Sequence, residues 1–165
     1  MRLVSNDSFS DYTGWADYVD GTYTSASPLI LSSTEITLPN DAAITRDIQK
    51  PNDITTFYDS ASQTITGRDG DGINIVIEFK ARPNTTSATT RITLAIDIGG
   101  AVGKIYKRDF LLAKGNNVEH YYLSSFHAYT LDTWEANGGT IKIVSTASTD
   151  IYDIRYVITR THKAR

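Results

Sequence analysis

"GINIVIEFKARP", residues 72–83, puts Ile73, Ile75, Ile77 and Phe79 at every second position and Asn74, Val76, Glu78 and Lys80 between them. Successive side chains of a strand point to opposite faces, so this alternation predicts a strand with one face in a core and one outside it. The same period recurs in "TTRITLAIDIGG", where Ile92, Leu94, Ile96 and Ile98 alternate with Thr93, Ala95 and Asp97. It recurs again in "IYDIRYVITR", where Tyr152, Ile154, Tyr156 and Ile158 alternate with Asp153, Arg155 and Val157. Weaker strands are expected at "PLILSS", "TEITLP", "TTFY", "QTITG", "KIYKRDFLLA", "VEHYYLSSFHAYT" and "TIKIVSTA". Turn material separates them: two copies of "PND", then "RPNTTS", "KGNN" and "ANGG". No segment carries a capped helical repeat. The expectation is an all-β fold, an antiparallel sandwich or jelly roll of about eight to ten strands.

Composition agrees. Isoleucine, valine and threonine supply 47 of 165 residues, and these β-branched types suit a pleated surface better than a helix. The length fits one domain with a core of its own. With no cysteine, a disulfide framework and a thiolate metal site are both excluded. The first residues hold no apolar run of the signal-peptide kind, and no segment is long and apolar enough for a spanning helix. The net charge of −3 is uneven: Asp7, Asp11, Asp17, Asp20, Glu35 and Asp41 face only Arg2 in residues 1–45, while the chain ends in "RTHKAR". No aromatic is interleaved with those terminal charges, so they read as a solvated end and not as a nucleic-acid site. The absence of cysteine suits folding in a reducing cytoplasm, and no membrane partner is expected.

Residues 1–27 differ from the rest, being small, polar, acidic and dotted with Tyr12, Trp15, Tyr18 and Tyr23. They form either an arm that packs these aromatics on another subunit or shell, or an irregular lead-in to a sandwich spanning 28–165.

Chemistry is sparse. In "TGRDGDGINIVIEF" the spacing of Asp69 and Asp71 suggests a calcium loop. An EF-hand register fails, however, since its fifth, sixth and twelfth positions would be Ile73, Asn74 and Lys80. Asp-Gly is also a tight-turn signal, which leaves a turn, with a weak non-EF cation site at Asp69 and Asp71 as the alternative. His120 and His127 are seven apart and fall on opposite faces of one strand. Glu78, Glu119 and Glu135 offer no pair singled out by spacing for glycoside hydrolysis. No enzymatic role and no cofactor are expected. Ten tyrosines and two tryptophans suit core filling, a subunit interface or sugar stacking, the last with Tyr129 and Trp134 in "AYTLDTWEANGG".

Three pieces in order, "GWADYVDGTYTSASPLIL", "GINIVIEFKARP" with "ITLAIDIGG", and "ANGGTIKIVSTASTDIYDIRYVITR", resemble the small jelly-roll proteins of tailed-bacteriophage virions. Those are similar in topology to tumour necrosis factor and C1q heads. The resemblance implies a homotrimer around a three-fold axis, with Val76, Val157, Tyr121 and Tyr122 as interface candidates, and carries no catalytic residues. It implies a capsid decoration protein that binds the major capsid protein on the outside of the head. The alternative is a tail, receptor-binding or carbohydrate-binding module with a glycan as partner. A chain that reads as all head favours decoration over a fibre. Removing residues 1–20 is expected to abolish capsid binding and to leave the fold intact.

Overall fold

A computed structural model describes residues 12–85, 89–115 and 117–164. Among the described residues, twelve strands and one short helix follow in chain order: β1 (Gly14–Val19), β2 (Leu29–Leu31), β3 (Ile36–Thr37), β4 (Ile44–Arg46), β5 (Tyr58–Asp59), β6 (Thr64–Ile65), β7 (Asp71–Pro83), β8 (Thr90–Asp97), β9 (Lys104–Leu112), β10 (His120–Thr130), α1 (Asp132–Asn137), β11 (Thr140–Ser145) and β12 (Thr149–His162). The larger sheet runs β10-β7-β12-β1-β4, with β2 also on β12; the smaller runs β3-β11-β8-β9, and β5 pairs with β6. Every pairing is antiparallel.

The two sheets bury the alternating residues against each other. Ile73, Ile75, Ile77 and Phe79 of β7 meet Ile92, Leu94 and Ile96 of β8 and Ile141 and Ile143 of β11 in one core. All of these are almost entirely removed from water, and apolar burial at about 25 cal/mol per Å² is the main force holding the layers together. The fold class is as the periodicity predicts. At the β9 and β10 edges an aromatic seam closes one side of the sandwich: Phe110 and Tyr122 have ring centroids 4.9 Å apart, and Phe79 lies 5.7 Å from Phe110.

The structure departs from the sequence reading in two places that matter. Gly14–Val19, read as part of an arm or lead-in, is a strand between β12 and β4, with Ala16, Asp17 and Tyr18 buried. Deleting residues 1–20 would therefore remove a structural strand, and only residues up to 11, outside the described residues, can be cut without touching it. The second departure is a bulge in β12. Pairing with β7 slips between Tyr152 and Arg155, and Asp153 takes φ 53°. An extra residue reverses strand parity, so Ile154, Tyr156 and Ile158 point into the core while Tyr152, opposite Lys80, points outwards.

Candidate assembly face

The outward faces of the two sheets are chemically different. On the smaller sheet, polar groups tie to one another: Thr93 Oγ1 donates to Asp109 (2.6 Å), Lys142 Nζ to Thr37 (3.0 Å), and Lys104 pairs with Glu35 (2.6 Å). That surface is mostly polar, with Leu111 of β9 a large exposed apolar side chain on it. On the larger sheet, β10 projects Tyr121, Leu123 and Tyr129, which are 59%, 52% and 58% exposed. At the opposite edge Trp15 of β1, Ile44 of β4 and Ile48 in the following turn are also exposed, Ile48 to 90%. Between these edges Val76 and Val157 stand side by side, half-buried by their neighbours.

A charged group occupies the middle of this face. The Asp17 carboxylate accepts from Arg155 Nε at 2.7 Å and from Arg46 Nη1 at 2.7 Å, and Arg155 also reaches Glu78 at 3.4 Å. Burial raises the Asp17 pKa, but the arginine hydrogen bonds outweigh it and hold the carboxyl below its ordinary value. A lowered carboxylate pKa contributes stability above the unfolded value, lost as pH falls through the folded one. Asp53, held well below its ordinary value by Arg160, acts in the same direction. The urea midpoint is therefore expected to stay level at mildly acidic pH and to fall only below about pH 4. A midpoint that declines already near neutrality would contradict this.

The candidate interface residues separate. Val76, Val157 and Tyr121 share the outer face. Tyr122, next in sequence, points into the sandwich, packs on Phe79 and Phe110 and donates to the Leu111 carbonyl at 2.8 Å. It is a half-buried residue packed against the core. The four aromatics of residues 1–27 also scatter. Tyr12 lies at one pole, where its carbonyl accepts from Arg160 Nε at 3.0 Å, and Trp15 is on the outer face. Tyr18 is buried, its hydroxyl accepting from Phe57 N at 3.0 Å, and Tyr23 packs against the core. Only Tyr12 and Trp15 are exposed enough to reach a partner.

Sugar stacking loses one of its two candidates. Trp134 is 1% exposed; α1 tucks the indole into the sandwich, where Nε1–H donates to the Ile65 carbonyl at 3.0 Å. Tyr129 stays exposed between His127 and His162, with ring centroids 5.7 and 6.3 Å away.

The Asp69–Gly70 corner is a turn. Asp71 N–H donates to the Arg68 carbonyl at 3.0 Å, and Gly70 has φ 81°, the third-position geometry of a type II turn. Both Asp71 oxygens are engaged by the protein's own donors, Oδ1 by Arg68 and Ala164 N (2.8 Å each) and Oδ2 by Arg160 (3.2 Å). Among the described residues, no three His, Cys, Asp or Glu side chains converge as metal ligands. The sequence reading missed the ion cluster itself, although Arg160 continues the inward parity of Ile154, Tyr156 and Ile158. Fully buried, it also binds Asp53 at 2.6 Å.

No protein-family model matches the sequence, and no curated protein matches it. Among solved structures, the chain is similar to the globular domain of zebrafish complement 1qA protein, with TM-score 0.55 and 7% identity over 93% of this chain and 99% of that one. It is also similar to Eiger TNF from S. frugiperda, with TM-score 0.50 and 9% identity over 93% and 96% of the two chains. The PRD1 vertex protein P5 superposes more loosely, at TM-score 0.42. At such identities the likeness establishes the fold, a TNF/C1q-type jelly roll.

Proposed function

We propose that this chain is a non-catalytic structural protein of a bacteriophage virion, a decoration protein that assembles as a homotrimer and binds the major capsid protein on the outside of the head. The observation that carries the reading is the concentration of large exposed apolar side chains along both edges of the larger sheet's outer face, against a smaller sheet whose outer face is mostly polar and carries Leu111 as an exposed apolar side chain. Two exposed apolar edges flanking a centre of already paired charges suit a face that is covered in the working assembly. β10 adds to this. It is an edge strand of eleven residues without a lysine, arginine, acid or register break, whereas β9 is guarded by Lys104, Lys107, Arg108 and a bulge at Tyr106. Long unguarded edges pair or aggregate unless something covers them. The virion assignment draws on the sequence resemblance to phage jelly-roll proteins.

In this reading a trimer contacts several capsid subunits at once, so shell expansion must break extra apolar contacts. Both described chain ends meet at one pole, where Lys163 stands over the Tyr12 ring at 5.6 Å and pairs with Asp53 at 2.9 Å. The described chain begins there at Tyr12, and in this reading that pole is the shell-facing end. Sedimentation with empty heads of the virus that encodes the chain tests the function. The full chain is expected to co-sediment, and a chain lacking residues 1–11 to stay in the supernatant with unchanged circular dichroism. No binding by the full chain would refute the decoration role, and full binding by the truncated chain would refute the shell-facing pole.

A further inference from the structure

We infer that the recess between residues 53–57 and 66–68 binds a small amphiphilic carboxylate, its acid head at Arg68 and its apolar body against Ile54, Phe57 and Ile73. The site lies at the pole where Lys163 pairs with Asp53, and it does not depend on the virion reading.

The recess exists because a hairpin opens. β5 and β6 pair at Tyr58–Ile65 and Asp59–Thr64, and the Thr66 N–H adds a rung to the Phe57 carbonyl at 2.9 Å. Beyond that rung no backbone bond joins the two segments among the described residues. Side chains cross instead: Thr66 Oγ1 donates to the Thr56 carbonyl at 2.5 Å and Arg68 Nη1 to Asp53 at 3.2 Å. The space left between them is about 250 Å³. Phe57 and Ile73, both buried, and half-buried Ile54 form its apolar wall. On the scale where about 150 Å³ holds benzene, such a recess holds about ten non-hydrogen atoms.

The polar groups left over on the lining are donors. Asp53 already accepts from Arg160 at 2.6 Å, Lys163 at 2.9 Å and Arg68 at 3.2 Å, and Asp71 is engaged by Arg68, Arg160 and the Ala164 N–H. Thr56 and Thr66 spend their hydroxyl protons on the carbonyls of Tyr58 and Thr56. Arg68 differs: it spends three of its five N–H groups, on Asp53, Asp71 and the Ala164 carbonyl, and keeps two. The Thr55 hydroxyl and the backbone N–H groups of Thr55, Thr56, Gly67 and Arg68 have no protein partner among the described residues. Charge points the same way. Arg68, Arg160 and Lys163 stand against the two aspartates, and Glu135 bears on Arg68 more weakly than either of these. A single negative charge with acceptor oxygens suits that balance, whereas a cation would compete with three already in place. Arginine takes carboxylates through paired N–H groups, and an apolar body gains by leaving water for the wall.

Amide chemical shifts of the isotope-labelled chain test this with octanoate, octanol and octylammonium, which share a body and differ in head. Octanoate is expected to shift the amides of Thr55, Thr56, Gly67 and Arg68 saturably. Octanol is expected to bind there about tenfold more weakly, the scale of one hydrogen bond to a charged group, and octylammonium not at all. Arg68→Gln is expected to erase the preference for octanoate over octanol. Because that change also touches Asp53 and Asp71, Thr55→Trp serves as a second variant. It places an indole at the exposed rim, leaves the ion cluster whole, and is expected to abolish octanoate binding with an unchanged melting midpoint. Octanol or octylammonium binding as tightly as octanoate, saturable shifts confined to other residues, octanoate binding unaffected by both variants, or no saturable shift with any of the three would each overturn the inference.

Discussion

Arg160→Met is expected to destabilise the protein by about 3 kcal/mol, on the order of 10 °C in melting temperature for a chain this long. The guanidinium is fully buried and serves three segments at once, donating to Asp53 (2.6 Å), Asp71 (3.2 Å) and the Tyr12 carbonyl (3.0 Å). Removing it leaves Asp71, itself almost fully buried, facing Asp53 across a site that has lost its central cation. Truncating one partner of a buried pair costs about 3–5 kcal/mol because the remaining charge stays desolvated. The lower end applies here, since Arg68 still reaches both carboxylates and Lys163 still reaches Asp53. Adding Asp71→Asn to the variant should recover part of the loss by removing the stranded charge. Thermal melts at one fixed protein concentration measure both, as association makes the midpoint concentration-dependent. A loss under about 1 kcal/mol, or no recovery in the double variant, would show that the cluster is not coupled as its geometry implies.

Trp134→Ala is expected to cost about 3–5 kcal/mol, the range for deleting a buried aromatic. The indole closes one end of the core beneath two glycines packed too tightly for a Cβ. One built at Gly139 would stand 2.4 Å from the ring, and one at Gly67 would stand 2.8 Å from it. The substitution opens a cavity and removes the indole N–H bond to the Ile65 carbonyl, which keeps only its bond from Gly139 N at 2.8 Å. Urea unfolding measures the loss. A variant of near-native stability would return Trp134 to the surface and reopen its role as a sugar platform.

The parts of the fold that follow from period-two patterning were legible in the sequence. β7 and β8 alternate cleanly because each has one face in the core and one outside it, and their buried faces are the ones the pattern selects. β1 was not legible, because its outward residues are Trp15, Asp17 and Val19 and its inward ones Ala16 and Tyr18. Polarity does not separate those two sets; the sheet does. Tyr152 was assigned to the core face because a bulge leaves no mark in composition, although Asp153 stands at one of the two positions where the pairing of β12 with β7 slips. It is still covered, by Arg82 over its ring at 5.1 Å and Glu119 on its hydroxyl, and burial first and then Glu119 push that phenol up to about 12.

Val76, Val157 and Tyr121, named together in the sequence reading, share the outer face of the larger sheet, but pairing Tyr121 with Tyr122 conflicts with strand parity itself. Ile44 and Ile48 went unnoticed inside "DAAITRDIQK", where single isoleucines among polar residues look like ordinary loop content. Their meaning comes only from β4 joining the sheet beside β1, which brings them next to Trp15. Trp134 misled in the opposite way, since a tryptophan in a polar, glycine-rich segment reads as exposed until a six-residue helix turns it inwards.

The central claim is that the apolar outer face of the larger sheet is covered by copies of the same chain. Multi-angle light scattering on the purified protein across a concentration series tests it most directly. The account predicts a mass three times the 18.2 kDa of one chain, falling to a single chain when Leu123 and Tyr129 are both replaced by glutamate with the fold retained. A mass of one chain at every concentration would contradict it.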